Sequence, residues 1–247
     1  MHIIILTVSV LLIGLISDFT KNKIERYNKY LIPLSVAFVL SLICLHILPE
    51  LFEKHINYVG LFILIGFVIQ ILLELLSKGI EHGHVHFHGK ITETKVIPIF
   101  IGISLHSFIE ALPISSIYDS HDHSHNHYNI NEGVSFIYFL MILVHKLPVA
   151  AILMILFNKV FKSKIKKYAL FIFFALTAPA GAVLGSYLSM NTNFNEISSV
   201  FLAISTGMLL HITTLLIFEE HHSSNEKWKN LILISIGFSA GLISFGI

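Results

Sequence analysis

The sequence predicts an all-α integral membrane protein, a bundle of eight transmembrane helices in a single domain, 1–247. Three observations carry this. The 247 residues are 55% hydrophobic and only 13% charged, about half the charged share of a soluble domain. Eight stretches approach the roughly 20 apolar residues that a helix needs to cross hydrocarbon. Lysine and arginine fall on alternate connections between those stretches.

The spans follow in order. The first, 2–18, begins at His2 without a basic leader, so it reads as a span rather than a cleaved signal. The second, 31–50, follows a segment holding Lys21, Lys23, Arg26 and Lys29. The third is 58–77. The fourth, 96–117, follows Lys78, Lys90 and Lys95. The fifth is 133–157. The sixth, 168–190, follows Lys159, Lys162, Lys164, Lys166 and Lys167. The seventh, 195–219, is polar at both ends. The eighth, 229–247, begins beside Lys227 and Lys229. The other connections, 51–57, 118–132 and 191–194, hold only Lys54. The bias places the basic connections in the cytoplasm and both termini outside a cell membrane. A net charge of +1 suggests no nucleic-acid partner. Cys44 is the sole cysteine, which excludes a disulfide framework and a thiol metal site; it reads as a small packing residue.

Ionisable residues inside spans are costly, and by default they mark function. Here they are few. His46 precedes Pro49 and Glu50 in the second span, and Gln70 and Glu74 lie in the third. His106 and Glu110 lie in the fourth, His145 and Lys146 in the fifth, and His211 in the seventh. His106 and Glu110 stand at i and i+4, so one helix face carries both an imidazole and a carboxylate. That suits a divalent transition metal, or equally a buried pair that packs helices. The fifth span adds His145 with Pro148 three residues on, as Pro113 follows Glu110. Proline removes a backbone hydrogen bond and is expected to bend each helix. Bent helices carrying polar ligands at membrane depth are typical of transporter sites. His46 is the candidate further ligand, or else a lone buried histidine. His211 is read as a helix–helix hydrogen bond or a relay residue, and Gln70 and Glu74 as bundle stabilisers or exit lining.

Two connections are rich in histidine. EHGHVHFHG carries His82, His84, His86 and His88, and DSHDHSHNH carries His121, His123, His125 and His127. Alternating histidines (81–89 and 119–127) form labile sites for zinc, copper or nickel, which fits metal capture at each mouth of a path.

These motifs resemble those of the ZIP family of divalent-metal transporters. The fourth-span pattern His-Asn/Ser-x-x-Glu/Asp-Gly reads here His106, Ser107, Phe108, Ile109, Glu110 and Ala111. The fifth-span pattern His-x-x-Pro-Glu-Gly is met by His145, Lys146, Leu147, Pro148, Val149 and Ala150, with departures. HILPE (46–50) and GFVIQILLEL (66–75) are similar to the family's second and third spans. Val149 stands where many members carry a metal-binding glutamate, and Lys146 where many carry a second-site ligand. The chain is therefore similar to a single-metal branch with lysine in the second metal's place. The resemblance implies a transporter, not an enzyme, that takes Zn²⁺ into the cytoplasm by alternating access. Fe²⁺, Mn²⁺, Co²⁺ and Cd²⁺ remain open as cargo, and a homodimer as assembly. The implied ligands are His106, Glu110, His145 and His46, with Lys146, Ser107 and His211 on the path. The implied moving unit is the first, fourth, fifth and sixth spans. The rival readings are an intramembrane zinc hydrolase and a metal sensor without flux.

Overall fold

The computed structural model describes residues 2–20, 22–53, 57–77, 92–118, 132–191, 197–218 and 224–245. Every regular element among them is helical. The elements are α1 (His2–Thr20), α2 (Asn22–Leu42), a π turn (Ile43–Ile47), α3 (Leu48–Glu53) and α4 (Val59–Ser77). They continue with α5 (Glu93–Tyr118), α6 (Glu132–Val160), α7 (Lys164–Asn191), α8 (Ile197–Phe218) and α9 (Ser224–Phe245).

The second expected span, 31–50, runs through α2, the π turn and α3, and the first and third to seventh overlap α1, α4, α5, α6, α7 and α8. The segment 19–30 is the main difference: it is helical from Asn22 onward. It contains no glycine or proline, and its side chains are compatible with a helix. Among the described residues, seven helical runs are long and apolar enough to cross a bilayer, counting Tyr30–Glu53 as one run through the π turn. α9 occupies the place of the eighth expected span. Lys227, Lys229 and Asn230 take up its first turns.

The prolines do not interrupt their helices. α5 runs through Pro98 and Pro113, α6 through Pro148 and α7 through Pro179. A membrane helix tolerates proline where neighbouring polar groups serve the backbone. Next to the carbonyl that Pro113 deprives of its donor, the Glu110 carbonyl accepts from the Tyr138 hydroxyl at 2.6 Å and from Ser205 at 3.3 Å. Among the described residues, the irregular point is the π turn, which carries His46. Cys44 lies on its exposed side, so the packing role expected of it does not hold.

α6 is the central helix: 78% of its spanning window is buried, against 22% for α1 and α4. Large apolar side chains such as Phe173, Leu184, Leu72 and Leu64 point outward, as lipid contact requires. Helices pair through glycine. A Cβ at Gly181 or Gly185 of α7 would overlap the carbonyls of Phe108 and Leu112 on α5. Gly66 and Gly207 bring α4 and α8 together in the same way, each facing a carbonyl of the other helix. Small residues allow this close backbone approach, and lipid supplies no hydrophobic drive to replace it.

A polar cluster ties α1, α6 and α7 together at one end. The Lys167 ammonium donates to Asp18 at 2.6 Å and to Asn158 at 2.8 Å, and the Tyr168 hydroxyl donates to Asp18. With the α5–α7 pairing, this links α1, α5, α6 and α7 into one group. α4 pairs with α8 and α2 with α9, and α2 packs on both α6 and α8.

Candidate metal centre

The centre lies where α5 meets α6. The i, i+4 spacing on α5 brings His106 Nε2 to 3.1 Å from Glu110 Oε2. α6 adds His145, whose ring sits edge-on to that of His106, with centroids 5.8 Å apart. One ligand atom from each of His106, Glu110 and His145 lies within 4.8 Å of the others. Tetrahedral zinc holds ligands at about 2.0–2.1 Å, so its ligand atoms are roughly 3.3 Å apart. Closing this group on an ion therefore takes at most about 1.5 Å of side-chain movement. All three residues are buried.

Lys146, the next residue on α6, pairs with the other Glu110 oxygen, Oε1. The carboxylate thus divides its work: one oxygen meets the ammonium, the other faces the imidazole. Both partners are almost fully enclosed, at 1–2% exposure. A carboxylate there would be costly without a counter-charge. Beside the pair is a small cavity of about 10 Å³, bordered by Ser107, Val149 and Phe174 as well as the four polar residues. That is room for about one water-sized sphere. Val149 closes the side on which a longer carboxylate would otherwise project.

The supporting residues come from other helices. Gln70 Oε1 of α4 lies 2.8 Å from His106 Nδ1. An amide oxygen can only accept, so this contact puts the imidazole proton on Nδ1 and leaves Nε2 as the donor to a metal. The Ser107 and Thr177 hydroxyls are 2.7 Å apart, and Thr177 donates to the Phe174 carbonyl, which fixes α5 against α7.

Of the other residues expected at the site, His46 stands in the π turn, outside the three-residue group. His211 pairs with Glu74 at 2.6 Å, joining α8 to α4, and its ring meets Phe67 edge-on. That is the helix–helix contact among its two expected roles. His82, His84, His86, His88, His121, His123, His125 and His127 all lie outside the described residues. From the sequence, Gln70 reads only as a bundle stabiliser or exit lining. Its signal in the sequence was a lone amide in the middle of GFVIQILLEL.

A buried cluster of two imidazoles and a carboxylate, on helices of bilayer length, matches the chemistry of a metal carrier. A family model described as ZIP zinc transporter matches residues 81–247. The chain belongs to the ZIP family. It is a multi-pass membrane protein of a family that moves divalent metal ions across membranes, and those proteins are transporters rather than enzymes. The matched region contains α5 and α6, and so every residue of the three-ligand group. Gln70 lies before it.

Proposed function

We propose that this ZIP protein imports Zn²⁺ into the cytoplasm through a single intramembrane site made by His106, Glu110 and His145. The observation that carries the reading is the pairing of that ligand group with a buried ammonium. Two neutral imidazoles and a carboxylate supply three of the four ligands zinc prefers. The fourth position is open to water, or to His46 in another conformation. Lys146 occupies the place of a second metal, repels a second dication and holds Glu110 while the site is empty. Fe²⁺, Mn²⁺, Co²⁺ and Cd²⁺ are the competing cargoes, since the same donors accept them.

The basic connections support an inward path, with the basic side cytoplasmic. Alternating access would move α1, α5, α6 and α7 against α2, α4, α8 and α9. The Asp18–Lys167–Asn158 cluster and the glycine contacts of α7 support the first group moving as one body. Gln70 then reaches across the sliding boundary to His106. The histidine-rich connections would raise the local metal concentration at each mouth, and a homodimer is the assembly to test first.

The test is ⁶⁵Zn²⁺ uptake into proteoliposomes by the wild type, His106→Ala and Glu110→Ala. The proposal predicts wild-type flux and its loss in both variants, with the folded bundle retained. Stoichiometric zinc binding by the wild type without flux would replace import with a sensor role.

A further inference from the structure

A cavity of about 640 Å³ lies between the two helix groups, on the far side of α6 from the metal centre. Ile13 of α1, Leu31 and Phe38 of α2, Leu147 and Pro148 of α6 and Ile236 of α9 line it. The lining is almost wholly apolar, and it opens sideways, because Leu31 and Ile236 are exposed on the bundle's outer face. α6 is thus a partition: His145, Lys146 and Val149 face the ion cavity, while Val144, Leu147 and Pro148 face this one.

Three features say what fills it. The first is surroundings. An apolar opening on the flank of a spanning bundle is bathed in lipid tails, not water. The second is length. Along α2 the lining runs from Tyr27 to Phe38, and at 1.5 Å per residue that is about 16 Å. Half of a hydrocarbon core about 30 Å thick is nearly the same, so the length suits one acyl chain. The third is charge. The polar end of the cavity, at Tyr27 and Asn28, falls in the helical turns that also carry Lys23, Arg26 and Lys29. Clusters of basic residues beside a spanning helix attract anionic headgroups. Asn28 is buried and donates to the Pro148 carbonyl at 3.4 Å, where α2 touches α6.

We propose that this cavity binds one acyl chain of an anionic glycerophospholipid from the leaflet on the basic side, with its headgroup at the start of α2. The lipid acts as a spacer between α2 and α9 on one side and α1 and α6 on the other. It presses on the helix that carries His145 and Lys146, so occupancy sets how readily the two groups slide. This rests on the chain's place in the bilayer and not on the identity of the transported ion.

The test is native mass spectrometry of delipidated full-length protein, titrated with phosphatidylglycerol or phosphatidylcholine of matched chains. Three proteins are compared: the wild type, Ala240→Phe, and the triple variant Lys23→Gln, Arg26→Gln, Lys29→Gln. Ala240 lines the cavity on α9, so a phenyl ring there would fill it. The wild type is expected to hold one phosphatidylglycerol at least tenfold more tightly than phosphatidylcholine. Ala240→Phe should lose at least tenfold of that affinity and still bind one Zn²⁺. The triple variant should bind both lipids alike. Equal binding of the two lipids by the wild type, unchanged binding by Ala240→Phe, or a lipid-free dimer that fills the cavity with a second copy would each overturn the proposal. Should Ala240→Phe fail to fold, Ile236→Trp in a Trp228→Phe background decides, because Trp228 is the chain's single tryptophan. Saturable quenching by brominated phosphatidylglycerol at one lipid per protein supports the site, and quenching that rises without saturation overturns it.

Discussion

Replacing Lys146 with methionine keeps an unbranched apolar stem and removes the ammonium. In the wild type that ammonium is the counter-charge to Glu110, and both groups are within 2% of full burial. Removing one partner of a buried pair costs about 3–5 kcal/mol, because the other charge is left uncompensated. The metal-free variant should therefore unfold more easily by an amount of that order. The opposite holds once metal binds. An ion on Oε2 would sit about 5 Å from the ammonium on Oε1. At an effective dielectric constant near 20, a dication and a single charge at that distance repel by roughly 6–7 kcal/mol before relaxation. Relaxation and screening leave a fraction of this, and a residual of about 1.4 kcal/mol is already tenfold in affinity. Lys146→Met should bind Zn²⁺ at least tenfold more tightly than the wild type and be rescued in stability by saturating Zn²⁺. Uptake should be slower, because the ion leaves less readily. Calorimetric titration and thermal unfolding with and without Zn²⁺ give both numbers. A variant with wild-type stability when empty and wild-type zinc affinity would refute the assignment of Lys146 as the counter-charge.

Gln70→Leu removes the acceptor that fixes the His106 tautomer and should weaken zinc binding about 10- to 100-fold, with Gln70→Glu close to the wild type; competition titration with a zinc chelator reads the difference. His211→Ala should leave zinc stoichiometry and affinity unchanged and lower stability by only about 0.6 kcal/mol, the usual worth of a helix–helix hydrogen bond in a bilayer; zinc affinity that falls tenfold in this variant would place His211 on the path. Gly185→Leu drives a side chain into the Leu112 carbonyl and should abolish the folded α5–α7 pair, seen as loss of a monodisperse peak in detergent.

Much of this was readable in the residues themselves. Span existence followed from apolar length, since bilayer thickness constrains length strongly, and seven helical runs among the described residues are long and apolar enough to cross. His106 and Glu110 could be joined on spacing alone, since i and i+4 share a helix face whatever surrounds them. His145 needed the resemblance to reach the same site, because its position relative to α5 is a tertiary fact. Gln70 was visible as a residue and not as a partner of His106: nothing in the order of residues says which face of α4 meets α5. The π turn at His46 had no signal in the order of residues either. Pro113 and Pro148 pointed to bends; α5 and α6 run on as helix through both, and the Tyr138 and Ser205 hydroxyls serve the backbone beside Pro113. The cavity behind α6 had none, since it exists only between helices.

The pairing of Glu110 with Lys146 also has an electrical meaning. With both imidazoles neutral, the vacant centre carries no net charge, and with Zn²⁺ aboard it carries two. A membrane potential does work on charge at about 2.3 kcal/mol per elementary charge per 100 mV. A cell negative inside would thus pull the loaded centre inward with up to about 4.6 kcal/mol per 100 mV, and would leave the return of the vacant centre untouched. On the proposed import cycle Lys146 would make transport rectify: voltage would drive the step that carries cargo, and the idle stroke would run free of it.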